Sequence, residues 1–327
     1  MATPLRIAIL EAAHWHTSMY VTGLHQAGAR VVALSDSTGT AGPALAAELD
    51  CPVYATPEEA LEAAKPDFVV AFGRHDRMPH ICRLLLERGL PFLMEKPLGR
   101  SAEEVRALAE LAERLRPPFA AVALPRRLST FYREVQEARR AGRLERLCLV
   151  HARIVNGYPS RYPRWNCAWM LDPAISGGGP LRNLGIHGID LFNAIVQEPV
   201  EVTWAYVSHR VYGLGVEEYA VVGLRSASGV LGLIEAGYTY PTDVAGGDSA
   251  WRLSAGDFYI SETGSSLTIA TPGRCVEQAV DVPASSYPGL VVDALARFQR
   301  GDPPLATISD CLAAMELIDR AYALAQR

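Results

Sequence analysis

The sequence predicts an α/β protein: a doubly wound parallel sheet over residues 1–122, then a second α/β unit over residues 123–327 on an open, largely antiparallel sheet. Short apolar runs alternate with helical patterns through the first part, the βαβ grammar of a parallel sheet. Pro117-Pro118 breaks that grammar. Beyond it, apolar runs succeed one another without helices between them, as antiparallel strands do.

The elements follow in order. Leu5–Leu10 is a first strand, with a helix through Met19 to Ala27. Arg30–Leu34 is a second strand, ending at Ser35-Asp36. Thr56-Pro57-Glu58-Glu59 carries three helix-start signals: an N-cap, a proline at the first helical position and a glutamate at the third. Asp67–Phe72 is a strand, His80–Arg88 a helix, and Leu90–Met94 the next strand. Ser101-Ala102-Glu103-Glu104 opens a helix that places Val105, Leu108, Leu111, Ala112 and Leu115 on one face. Strand-like runs then fall at 148–155, 200–207, 219–224, 230–238, 251–254 and 266–269, flanked by helical patterns at 130–141, 184–196, 291–300 and 309–325.

A formal charge of −5 without a basic block argues against a nucleic-acid partner. No long apolar span predicts a membrane segment, and no signal-peptide pattern stands at the start. The six scattered cysteines, none in a CxxC pair, read as reduced thiols of a cytoplasmic protein.

The densest information lies at Phe92-Leu93-Met94-Glu95-Lys96-Pro97. Proline cannot donate a ladder hydrogen bond, so the strand stops there. Ligands in open α/β sheets bind outside the carboxyl ends of strands, which puts Lys96 where such a sheet presents chemistry.

A strand, a turn, a helix and an acidic residue ending the second strand form a dinucleotide-binding layout, usually marked by GxGxxG at the first turn. Here the turn reads Glu11-Ala12-Ala13-His14-Trp15-His16, without a glycine. Ala12, Ala13, His14 and Trp15 are the expected cofactor-facing positions of that turn. Glu11 would repel a pyrophosphate unless it points away or is protonated. Asp36 can accept both ribose hydroxyls and disfavours a 2′-phosphate, which points to NAD over NADP; the structural alternative is a turn cap. His14 and His16 admit three readings: packing under the turn, contact with cofactor or substrate, or metal ligation, for which two residues are too few. No metal site is expected.

The second unusual stretch runs from Ser176-Gly177-Gly178-Gly179 through Asn183 and His187 to Asp190. The glycines suit close approach of a ligand. Asn183 and His187 are four apart, hence on one helical face. A histidine is a natural proton acceptor for an alcohol losing hydride.

With Glu95-Lys96-Pro97 and the Gly177–Asp190 motif both present, and Phe298, Pro304, Asp310, Ala314 and Tyr322 in a matching C-terminal pattern, the chain resembles the glucose–fructose oxidoreductase, inositol dehydrogenase and rhizopine-catabolism family (Gfo/Idh/MocA). The resemblance implies a Rossmann domain, then a substrate domain that carries the subunit contacts of a homodimer or homotetramer. It implies NAD(P)-dependent oxidation or reduction of a sugar, polyol or related hydroxyl compound. Lys96 would hydrogen-bond the substrate oxygen and His187 would be the general acid/base. Asn183 stands where the family has an aspartate, able to orient a hydroxyl but not to take a proton. Glu95 and His80 would lie near the cofactor. The resemblance also brings Arg126 or its neighbour Arg127 near the substrate.

The loop of Tyr158, Arg161, Tyr162, Arg164, Trp165, Asn166 and Trp169 suits a sugar, through rings for its apolar faces and polar groups for its hydroxyls, with Tyr162 and Trp165 foremost; its arginines would also suit a carboxylate. The alternative is a loop that packs on its own domain or on another subunit. Two other functions remain open at this point: a lyase, epimerase or glycosidase that recycles a bound NAD, and a cofactor-less binding or regulatory protein on the same fold.

Overall fold

The computed structural model describes residues 3–243, 246–280 and 286–325. The first sheet is parallel throughout, in the order β3-β2-β1-β4-β5-β6. Its strands are β1 (Arg6–Leu10), β2 (Arg30–Ser35), β3 (Val53–Tyr54), β4 (Phe68–Ala71), β5 (Phe92–Met94) and β6 (Ala120–Val122). Helices α1 (Thr17–Gln26), α2 (Gly42–Leu49), α3 (Pro57–Ala64), α4 (Met78–Glu87) and α5 (Ala102–Leu115) connect them. β1, β4 and β5 are almost fully buried, as befits strands covered on both faces. Thr56 and Ser101 cap α3 and α5 as their sequences predict, each accepting from the amide three residues on. The α5 stripe holds except at its end, where Leu115 is exposed in the final turn.

After a 3₁₀ turn (Pro125–Leu128) and α6 (Thr130–Arg140), the second sheet runs in the order β14-β13-β12-β11-β7-β10-β9-β8. Its strands are β7 (Leu147–Asn156), β8 (Val200–Ser208), β9 (Tyr219–Ser226), β10 (Leu231–Gly237), β11 (Gly247–Ala255), β12 (Phe258–Thr263), β13 (Ser266–Thr271) and β14 (Arg274–Ala279). All pairs are antiparallel except β7 with β10. The long segment between β7 and β8 carries the short helices α7 (Arg161–Arg164) and α8 (Pro173–Ser176), a π-turn (Leu181–Gly185) and α9 (Ile186–Val196).

The last two helices, α10 (Tyr287–Arg300) and α11 (Ile308–Ala325), return to the first sheet. Leu290, Val291, Ala294 and Leu295 of α10 share a core with Ile7, Ile9, Val70 and Phe72. Gly23 permits the contact: a Cβ there would stand 2.7 Å from both Pro288 O and Val291 Cβ. α11 meets α5, with Asp319 accepting from the Ala102 amide at 2.7 Å. Arg127 joins α9 to the start of α11, bonding Asp190 at 2.6 Å and Asp310 at 2.9 Å. Among the described residues, no helix is long and apolar enough to cross a membrane.

Candidate active site

Two cavities of about 460 Å³ each open near the carboxyl ends of the parallel strands. The first is lined by Glu11, Ala13, Ser37, Thr38, Arg74, Arg77 and Trp169 among others. It lies where the strand order reverses between β1 and β4, the crevice in which doubly wound sheets bind ligands. The second takes in Lys96 at the end of β5 and is lined by Arg126, Arg161, Trp165, Asn183 and His187. Trp15 faces the second cavity and Trp169 the first, with centroids 5.9 Å apart, so a layer of aromatic rings divides them.

The turn after β1 folds around backbone bonds instead of glycines. Glu11 takes the left-handed conformation at φ 56°. The Ala12 amide donates to Ser35 O at 2.8 Å, and Thr17 Oγ1 returns to Ala12 O at 2.9 Å, so Ala12 is sealed inside the turn and faces no cavity. His14 is buried, stacked on Trp15 at 3.8 Å and on Phe72 at 5.2 Å, and its Nδ1 accepts from the His16 amide. Of the four turn positions expected to meet a cofactor, only Ala13 lines the first cavity; Trp15 turns to the second.

Asp36 also departs from expectation. Its carboxylate accepts from the Thr38, Ala41 and Gly42 amides and from Thr38 Oγ1, at 2.6 to 2.9 Å, which makes it a cap for the loop into α2. Although burial opposes it, those hydrogen bonds keep its carboxyl below the ordinary range. Glu11 lines the cavity instead: its carboxylate reaches the end of β2, accepting from Ser37 Oγ at 2.5 Å and from Ser35 Oγ at 3.4 Å. Burial lifts its carboxyl above the ordinary range. His80 sits at the outer lip, its side chain 64% exposed and bonded to Glu58 at 2.8 Å. Arg74 is paired with Asp76.

Glu95, next to Lys96 in the chain, is fully buried, accepting from Tyr20 Oη at 2.8 Å and His16 Nδ1 at 2.9 Å. Burial pushes its carboxyl up, but His16, Lys96 and His14 outweigh it and bring it down to about 2. It is therefore a carboxylate that holds Lys96 charged despite burial, which lowers the lysine. The Lys96–Pro97 peptide is cis.

Lys96 Nζ donates to Asn183 O at 2.8 Å and to Asn183 Oδ1 at 2.6 Å. An ammonium has three protons, so one remains for a group in the cavity. Asn183 Nδ2 donates to Tyr162 Oη at 2.7 Å and to Tyr238 Oη at 3.0 Å. Both amide protons and the oxygen are thus engaged, and Asn183 positions Lys96 instead of offering a free hydrogen bond to substrate. Tyr162 is likewise buried, with its hydroxyl bound to Asn183.

The π-turn makes this possible, since a wide turn frees a main-chain carbonyl to face outward. Glu217, which no motif or spacing marks, anchors it: its carboxylate accepts from the Gly179 and Leu181 amides at 2.8 and 2.9 Å and from Tyr322 Oη at 2.7 Å. The preceding glycines serve protein contacts, not a ligand. A Cβ on Gly178 would stand 2.2 Å from Tyr322 Oη, and Gly178 holds φ 152°. One turn on, His187 lines the cavity, its Nδ1 buried and, among the described residues, without a hydrogen-bond partner. Burial, then the charges of Lys96 and Arg126, hold it well below its ordinary pKa, so it is neutral.

Arg126 lines the same cavity, 3.2 Å from Glu262 and over the Trp251 ring at 4.6 Å. Arg127 does not; it is the buried salt bridge described above. Trp165 is part-exposed at the rim. Among the described residues, no group of His, Cys, Asp and Glu is arranged to hold a metal ion.

Residues 10–120 match the family model described as "Oxidoreductase family, NAD-binding Rossmann fold", and residues 132–253 match the GFO/IDH/MocA C-terminal domain. The chain belongs to the Gfo/Idh/MocA family of NAD-binding oxidoreductases. It is 26% identical over 281 residues to the rhizopine catabolism protein MocA of Rhizobium meliloti, covering 84% of this chain and 80% of that protein. It is 26% identical over 237 residues to inositol 2-dehydrogenase of Rubrobacter xylanophilus, covering 69% and 64%. Levoglucosan dehydrogenase, solved with NADH and L-sorbose, shares the fold with a TM-score of 0.85 at 14% identity, covering 98% of this chain and 97% of that one.

The first cavity suits NAD in its donor set. Glu11, Ser37 and Thr38 offer acceptors and hydroxyls for a ribose at one end, Arg74 and Arg77 offer cations for phosphates, and Trp169 closes the other end with a ring. Glu11 is drawn to the end of β2, beside Ser35 and Ser37.

Proposed function

We propose that this protein oxidises a hydroxyl group of a sugar, polyol or related compound in the second cavity. The observation that carries it is the convergence of one free ammonium proton on Lys96 with an unpartnered, neutral His187 on one cavity wall beside the cofactor cleft. NAD, when bound, supplies the hydride acceptor. Lys96 holds the substrate oxygen and stabilises negative charge growing on it. His187 takes the hydroxyl proton at a ring nitrogen, and its neutrality makes it competent below neutral pH. Asn183 fixes Lys96. Glu95 keeps the lysine charged, and the buried rings keep water from the reacting centre. Glu11, in place of Asp36, accepts the ribose hydroxyls and disfavours a 2′-phosphate. Neither a recycled-cofactor nor a cofactor-less function is favoured by the relatives, which are a catabolic protein and named dehydrogenases.

The test follows NADH on a panel of polyols, sugars and sugar acids. Lys96→Met and His187→Gln should each lower kcat by about 10²–10⁴-fold while NAD⁺ affinity stays within a few-fold. Equal rates in wild type and both variants would remove the site assignment.

A further inference from the structure

Arg161, in α7, has a place in the second cavity that neutral-substrate chemistry does not explain. Its residue is 6% exposed, it lines the cavity, and its Nε is buried without a partner. Among the described residues its guanidinium makes a single hydrogen bond, a long one of 3.4 Å from Nη2 to Tyr162 Oη. Three rings surround the guanidinium, those of Tyr162 at 5.1 Å, Trp165 at 5.6 Å and Tyr238 at 5.8 Å. Rings attract a cation through their faces but supply no counter-charge.

The charges around the cavity leave Arg161 as the excess. Lys96 faces Glu95, and Arg126 faces Glu262. Among the described residues, Arg161 forms no ion pair. A buried guanidinium without an anion is costly, and its planar fork matches a carboxylate bidentately. Arg161 also shares a wall with the reacting groups. Tyr162 Oη touches both Arg161 and Asn183, and Asn183 holds Lys96, so the two cations line one cavity and are linked through two side chains.

We propose that Arg161 binds a carboxylate on the substrate, and that the compound oxidised is a sugar acid or similar polyhydroxy acid. This rests on the reading of the second cavity as the substrate site. Lys96 would meet the hydroxyl to be oxidised and Arg161 the carboxylate, a division of labour that fixes which end of the molecule reacts.

Calorimetry on the whole protein with NADH present tests it, using matched pairs: D-glucuronate against D-glucose, D-gluconate against D-glucitol, and D-galactonate against galactitol. At least one acid should bind tenfold or more tightly than its neutral partner, with affinity falling as salt rises. In Arg161→Met that ratio should fall to about one, and in Arg161→Lys it should be partly kept; thermal unfolding and NADH binding show that each variant is folded. Equal affinity of wild type for acid and neutral members of every pair overturns the proposal, as does a preference that survives in Arg161→Met. Failure of the oxidation reading looks different: acids bind through Arg161, yet no NADH forms from any of them with NAD⁺.

Discussion

The site is built from histidines that fold without their protons, which predicts acid sensitivity. His14, His75 and His187 are each driven well below the ordinary histidine value of 6.5, chiefly by burial; His75, whose Nδ1 donates to Ser176 O at 2.7 Å, falls to about 3. A histidine with a lowered folded-state pKa leaves the unfolded chain binding the extra proton. Its contribution is therefore complete above pH 6.5 and is lost as pH falls. Each such proton is worth ~1.4 kcal/mol per pH unit. Asp190 works the other way, since burial raises it from 3.8 to about 6 and it takes up a proton in the folded state between those values. Over this range His75 alone costs ~1.4 kcal/mol per unit as pH falls, His14 and His187 act in the same direction, and Asp190 offsets part of the loss. Below 4.5 Glu95, held down to about 2, adds to the loss. Stability therefore declines as pH drops below 6.5, against a typical total of about 5–15 kcal/mol. Urea unfolding midpoints at pH 7, 6 and 5 measure this, and His75→Gln should reduce the slope by ~1.4 kcal/mol per unit. A stability at pH 5 equal to that at pH 7 would refute the assignment of neutral buried histidines.

Two further outcomes follow from named contacts. Glu11→Gln should weaken NAD⁺ binding about tenfold or more and narrow the preference over NADP⁺, as charge-assisted hydrogen bonds are lost. Asp36→Asn should instead cost about 1 kcal/mol of stability as a weakened cap, with binding read by tryptophan fluorescence; the reverse ranking for NAD⁺ would restore Asp36 as the ribose ligand. Arg127→Ala should destabilise by about 3–5 kcal/mol in urea, because Asp190 is left buried without its cation, and Arg127→Met with Asp190→Leu should recover most of the loss.

The sequence was most legible where local rules decide structure. Capping at Thr56 and Ser101, the strand ended by Pro97, and the shift from alternating to successive strands were all readable and all present. Elements without a periodic signal escaped. β3 is two residues long, and β14 at the sheet edge has the uneven sequence Arg274-Cys275-Val276-Glu277-Gln278-Ala279. The parallel pairing of β7 with β10 joins strands about eighty residues apart in sequence, a contact that no local pattern carries.

The site shows the same division more sharply. Spacing located the residues but could not say which way they point. Asp36 and Glu11 end neighbouring strands, and either could meet a ribose; the loop into α2 decides, because its amides need an acceptor and Asp36 is the nearest. That demand engages Asp36 with the loop and leaves Glu11, the residue that looked most hostile to a dinucleotide, lining the cavity. Asn183 follows the same logic. Its two amide protons satisfy Tyr162 and Tyr238 while its oxygen takes Lys96. A carboxylate would keep the lysine bond but would need both tyrosines to turn and donate. These positions are therefore read through the neighbours they must satisfy: for Asp36 the loop amides two to six residues on, for Glu11 Ser35 and Ser37, and for Asn183 Tyr162 in α7 and Tyr238 just after β10.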